Sequence, residues 1–201
     1  VVCTEDTKVA ETPSTMLALG TTLPAFRLPD ISGKTVTSDD FAGSKGLLVA
    51  FWCVHCPYVR HIRVAFARLA RNVQQRGCAV VAINANDIAI SPGDGPAGMT
   101  QEARDVGYTF PYLFDEAQMV AKAFRAACTP DLFLFDGAQR LVYRGQFDGS
   151  RPNNEVPVTG KDLAAAVDAL LSGRAVSPEQ RPSLGCNIKW RAGAAPDDVR
   201  G

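Results

Sequence analysis

The sequence predicts an α/β fold in which a central mixed β-sheet is flanked by helices and preceded by a β-hairpin. Three observations carry this expectation. Residues 46–52 and 78–84 are short and continuously apolar, the pattern of strands buried on both faces. Between them Val59, Ile62, Phe66, Leu69 and Val73 recur at 3,4,3,4 spacing, while Arg60, Arg63, Arg68, Arg71 and Arg76 take other positions. That is an amphipathic helix over 57–76 ending near Gly77, and a right-handed crossover through it lays the two strands parallel. Residues 131–136 and 140–145 are two further apolar runs around a turn containing Gly137, hence an antiparallel pair that makes the sheet mixed.

In chain order, residues 1–15 are polar and Thr-rich, and Met16 reads as a natural start. Residues 1–19 are therefore expected to be a flexible extension, residues 20–175 the folded domain, and residues 176–201 a tail packing on it. Residues 23–36 read as a strand, a Gly turn and a second strand, and Ser38 as the cap of a helical turn. Residues 87–98, with Pro92, Gly93, Gly95 and Pro96, form a long loop leaving the C-terminal end of a strand. Open α/β sheets keep their sites at that edge, so the loop either borders a site or is a variable surface loop. A helix near 100–107, a strand at 112–114, a helix near 117–124 and a last helix at 160–171 follow. The segment 181–190 is too apolar for simple disorder.

Lys+Arg and Asp+Glu both number 21, so the formal charge is zero and neither nucleic acid nor an anionic membrane is an expected partner. The arginines of the long helix read as a solvated face. The longest apolar run is about half of the ~20 residues a membrane span needs, and no signal peptide is read. A cytoplasmic location is expected, although a periplasmic chain would read alike. Six cysteines are too few for a disulfide scaffold in a chain of this size. No cofactor or metal is expected: one Cys-x-x-Cys with His55 or His61 falls short of the four ligands of a structural zinc site. His61 reads as an exposed helix residue.

Only Cys53 and Cys56 have chemically suggestive spacing, at a strand-to-helix junction behind Trp52 and ahead of Pro57, a residue suited to a first helical turn. Unpaired N–H groups and the helix dipole at such a junction favour thiolate over thiol. Cys53 is then the expected ionised nucleophile and Cys56 the resolving thiol. A protonated His55 would add positive charge beside Cys53, which places the centre on the oxidising side of a thioredoxin at about −270 mV.

The order strand, Trp-Cys-x-x-Cys-Pro, helix, strand, helix, then Thr129-Pro130 leading into a hairpin and a last helix resembles the thioredoxin-like three-layer fold. More narrowly, with the hairpin at 23–36 and the wording Ala-Cys-Thr-Pro-Asp and Gly-Cys-Asn-Ile-Lys-Trp, the chain is similar to the redoxin (AhpC/TSA-type) branch and to bacterial thiol-disulfide oxidoreductase-like proteins. The resemblance implies a cis Thr129–Pro130 bond facing the cysteines, turning backbone groups toward an extended substrate. It implies exchange with a disulfide-bonded protein or small thiol, and an electron donor such as a thioredoxin or glutathione system. The buried acid that thioredoxins keep six positions before the first cysteine is replaced here by Leu47, leaving His55, water, Asp115 or Glu116 to move the proton. The alternative activity is a thiol-dependent peroxidase. The hydroxyl such enzymes keep three positions before the reactive cysteine is missing, since Ala50 precedes Cys53 at that spacing. Cys128 and Cys186 are additional redox candidates, with inert packing the simpler reading. Cys78 reads as a small buried apolar residue and Cys3 as part of a mobile tail.

Overall fold

The structure is a computed structural model of the chain and describes residues 11–197. Its strands and helices, in order, are β1 (Glu11–Pro13), β2 (Arg27–Pro29), β3 (Thr35–Thr37), β4 (Gly46–Phe51), α1 (Pro57–Gln75), β5 (Cys78–Asn84), α2 (Pro96–Val106), β6 (Tyr112–Phe114), α3 (Met119–Ala123), β7 (Cys128–Thr129), β8 (Asp131–Asp136), β9 (Leu141–Gly145), α4 (Lys161–Leu171) and β10 (Leu184–Asn187). Five strands form the central sheet in the order β6-β5-β4-β8-β9. β5 runs parallel to β4 and β6, and β8 antiparallel to β4 and β9, which is a mixed thioredoxin-like sheet.

The continuous apolar character of β4 follows from its central place. Leu48 and Ala50 face a core shared with Val59, Ile62 and Phe66 of α1 and with Leu163 and Val167 of α4. Leu47, Val49 and Phe51 face the opposite core, with Phe124, Phe133 and Phe135. There Phe51 meets Phe124 and Phe133 edge-on at centroid distances of 5.3 and 5.9 Å, contacts worth about 0.5–1.5 kcal/mol each beyond their buried area. Leu47, at the position of the missing acid, is thus in a wholly apolar setting.

β2 and β3 form the expected hairpin. The turn after it is capped by Thr37 rather than by Ser38: Asp40 Oδ2 accepts the Thr37 amide at 2.7 Å, while Ser38 is buried with its hydroxyl accepting the Phe26 amide. α2 begins at Pro96, earlier than the sequence suggests, because Pro96 suits the first turn of a helix.

A second sheet, β1-β10-β7, is the main departure from the sequence reading. The expectation of a flexible extension over 1–19 is corrected within the described residues. Glu11–Pro13 is a strand on β10, Ser14 N–H donates to the Ser183 carbonyl at 2.9 Å, and Leu17 is buried in the core. A three-residue edge strand has too few residues to show alternation in the sequence. Cys3 lies outside the described residues.

Candidate active site

The backbone leaves β4 at Phe51, passes Trp52 and Cys53, and enters α1 with Cys56 as N-cap and Pro57 at the first helical position. Trp52 does not line the surface: it is fully buried, with its ring 4.6 Å from that of Phe66 and its indole N–H donating to Tyr108 Oη at 2.9 Å. Facing the cysteines is the cis Thr129–Pro130 bond. The Thr129 hydroxyl lies 3.1 Å from Cys53 Sγ, and the Thr129 carbonyl accepts the Cys56 S–H at 3.0 Å when that thiol is protonated.

Both thiols are buried, Cys53 being 2% and Cys56 3% exposed. Over Cys56 lies the chain's own tail. β10 pairs antiparallel with β7, placing Cys186 opposite Thr129, and Cys186 Sγ is 2.7 Å from Cys56 Sγ. A Cβ on Gly185 would fall 2.0 Å from the Thr129 carbonyl oxygen, so only glycine permits this close approach of strands. All three cysteines are free thiols.

The charge distribution reverses the expectation for Cys53. Hydrogen bonding to Cys56, burial and the nearby Asp94 carboxylate all push the Cys53 thiol up, against the opposing Thr129 hydroxyl. At Cys56 burial opposes ionisation, but hydrogen bonds from Cys186, from Cys53 and from the Val59 amide outweigh it and hold the thiol well below its usual range. The first reason is the neighbouring Cys186 thiol, whose sulfur is 2.7 Å away, followed by Cys53 and by the place of Cys56 at the start of α1.

Asp94, from the loop 87–98, organises the turn between the cysteines. It is 1% exposed, and its Oδ1 accepts the amides of Val54 at 2.9 Å and His55 at 3.0 Å. The half-exposed His55 ring is turned to the same oxygen, Nδ1 donating at 3.1 Å, so any positive charge on it is offset by Asp94 rather than directed at Cys53. Asn86 donates to Asp94 Oδ2 at 2.9 Å and accepts the Lys189 amide at 2.9 Å, tying the tail to the same carboxylate. Asn84 donates to the Asp94 carbonyl. The polar run after β5 was the sequence signal for these residues, since Asn84 and Asn86 follow an apolar strand at the edge where sites collect.

The other named residues divide. Cys128 is buried in β7 itself, its S–H directed at the Pro130 carbonyl, and burial pushes its thiol up. Cys78 is buried at the start of β5. His61 is half-buried and hydrogen-bonded to Ser150 Oγ at 2.7 Å, not exposed as expected. Asp115 accepts the Ala121 amide at 2.8 Å at the start of α3, and Glu116 pairs with Arg191 at 3.5 Å on the surface. Neither carboxylate has a hydrogen bond to the cysteines, whereas Asp94 is bonded to the intervening turn. Among the described residues no group of three or more His, Cys, Asp and Glu is placed to hold a metal, and no helix is long and apolar enough to cross a membrane.

A mixed sheet carrying a buried Cys-x-x-Cys pair against a cis-proline bend defines the class of thioredoxin-fold redox proteins. Residues 19–144 match the model of the AhpC/TSA family, and the chain belongs to that family. It is 28% identical over 125 residues to the thiol-disulfide oxidoreductase ResA of Geobacillus thermodenitrificans, a match covering 62% of this chain and 67% of that one. Two solved structures resemble it over nearly its whole length. A hypothetical protein of Sinorhizobium meliloti 1021 is 51% identical with a TM-score of 0.89, covering 90% of this chain and all of the other (100%). An uncharacterized conserved protein of Geobacillus kaustophilus is 46% identical with a TM-score of 0.90, covering 92% and 98%.

Proposed function

We propose that this redoxin-family protein is a thiol-disulfide oxidoreductase working through the Cys53/Cys56 dithiol on disulfide-bonded protein partners. The observation that supports it most is that both sulfurs meet the same residue, Cys53 Sγ at 3.1 Å from the Thr129 hydroxyl and Cys56 Sγ at 3.0 Å from the Thr129 carbonyl, which gathers the pair at one point for a two-electron exchange. Cys56 is walled in by Cys186 and the Thr129 carbonyl, which leaves Cys53, on the turn before the helix, as the entry thiol.

Displacement of β10 by an extended partner chain removes the Cys186 donor from Cys56. The proton shared by the pair is then free to settle on Cys56, leaving the thiolate at Cys53. That thiolate attacks one sulfur of the partner disulfide; the S–S bond breaks, and the departing partner sulfur takes up a proton. Cys56 next attacks Cys53 Sγ, forming the Cys53–Cys56 disulfide and releasing the second partner thiol. The partner gains two electrons and the chain loses two; an external thiol donor of the thioredoxin or glutathione class resets it. The peroxidase reading is disfavoured because Ala50 supplies no hydroxyl at the position three before Cys53.

The test is trapping. With Cys56→Ser, incubation with a disulfide-bonded protein should leave a mixed disulfide on Cys53, and Cys53→Ser should abolish turnover. Peroxide consumption faster than disulfide exchange would reverse the ranking of the two activities.

A further inference from the structure

We propose that Cys186 is a third catalytic cysteine, an internal thiol that takes the disulfide over from Cys53 by bonding to Cys56. The inference rests on the oxidoreductase reading above and goes beyond it, because it assigns a role to a strand about 130 residues away in the chain.

Three observations carry it. The first is distance: Cys186 Sγ is 2.7 Å from Cys56 Sγ, and a disulfide at about 2.05 Å needs a closure of less than ~1 Å. The second is the helix end. Cys56 is the N-cap of α1 and Cys186 Sγ is held against its sulfur, so β10 delivers its thiol to the mouth of the helix. The third is how β10 is held. Its pairing with β7 puts a backbone strand where an extended substrate would lie against the cis-proline bend. That position is secured on the far side by β1, by the hydrogen bond between Tyr58 and Glu11, and by Asn86 on Lys189. The tail therefore behaves as a built-in substrate, with its thiol presented to the resolving cysteine.

The step is a thiol-disulfide exchange with no net redox change. Once a partner disulfide has oxidised the chain to Cys53–Cys56, Cys186 Sγ attacks Cys56 Sγ. The Cys56–Cys186 bond forms and the Cys53–Cys56 bond breaks. Cys53 leaves as the thiolate and takes up the proton that Cys186 gives away. The oxidising equivalent is then stored under β10, and Cys53 is free again.

The experiment uses the full chain, oxidised in glutathione/glutathione-disulfide buffer, alkylated at its free thiols and digested with trypsin without reduction. Trypsin cuts after Lys45 and Arg60, so a Cys53–Cys56 bond stays inside one peptide, whereas a Cys56–Cys186 bond joins that peptide to the one ending at Lys189. The expected result is the joined pair in the wild-type chain and its loss in Cys186→Ser, with the internal Cys53–Cys56 bond retained in the variant. A wild-type chain holding only the internal bond, with Cys186 fully alkylated, overturns the inference and leaves the oxidoreductase reading standing. Failure of Cys186→Ser to form a Cys53–Cys56 bond would instead overturn that reading.

Discussion

Asp94 holds His55 twice, by the backbone amide at 3.0 Å and by the ring Nδ1 at 3.1 Å, and in doing so fixes the turn between Cys53 and Cys56. Its negative charge also weighs against a thiolate at Cys53. Asp94→Asn keeps an oxygen for the Val54 and His55 amides but removes the charge, so the Cys53 thiol should ionise more readily. Alkylation of Cys53 at neutral pH, followed in a Cys56→Ser background, should speed up several-fold; an unchanged rate would show that the carboxylate acts through geometry alone.

Thr129 works in the opposite direction. Its hydroxyl, 3.1 Å from Cys53 Sγ, favours the charged form of that sulfur. Hydrogen bonds to charged groups contribute about 1.5–3 kcal/mol, so Thr129→Val should slow disulfide exchange at neutral pH by roughly ten-fold or more while leaving the fold intact. The pH profile of the rate should move to higher pH. If the rate falls with no such movement, the hydroxyl serves packing and not ionisation.

Gly185 sets how closely the tail approaches the site. An alanine Cβ there would meet the Thr129 carbonyl oxygen at 2.0 Å, a clash with backbone that no side-chain adjustment relieves. Overpacking of this kind costs about 1–3 kcal/mol. Gly185→Ala should therefore lower the unfolding free energy by that amount and loosen β10, so that Cys56 and Cys186 react faster with a thiol reagent. Equal reactivity in variant and wild type would mean that β10 is not what shields them.

Glu102 supplies a pH-dependent contribution to stability. Burial raises its carboxyl from the ordinary 4.5 to about 7, although Arg63 at 3.4 Å opposes the shift. Because the folded chain binds this proton more tightly than the unfolded one, the stabilisation is complete below the unfolded value and is lost as pH rises through about 7. Between about pH 5 and pH 8 the wild type should lose on the order of 2–3 kcal/mol relative to Glu102→Gln, read from urea midpoints at the two pH values. Parallel stability curves for the two proteins would place the Glu102 titration elsewhere.

The cysteine pair and its fold are legible because the information is local and repeated. Continuous apolar runs mark β4 and β5, helical spacing marks α1, and Cys-Val-His-Cys-Pro stands at the junction between strand and helix. The two-sided burial of β4 also explains why Leu47, at the usual place of an acid, can be apolar. Asp94 is not legible in the sequence, since a single carboxylate in a loop of Pro and Gly gives no pattern; only the fold brings it to the amides of Val54 and His55.

By itself, then, the sequence determined that this chain builds a mixed α/β sheet with a cysteine pair at the mouth of its longest helix. The tertiary structure alone decided which sulfur the helix end serves, that β10 lies across the site, and that Cys186 sits 2.7 Å from Cys56. The reason is that periodicity records which face of an element is buried, whereas ionisation and reach depend on groups brought together from distant parts of the chain, here the first turn of α1, the loop carrying Asp94, the cis-proline bend and the tail.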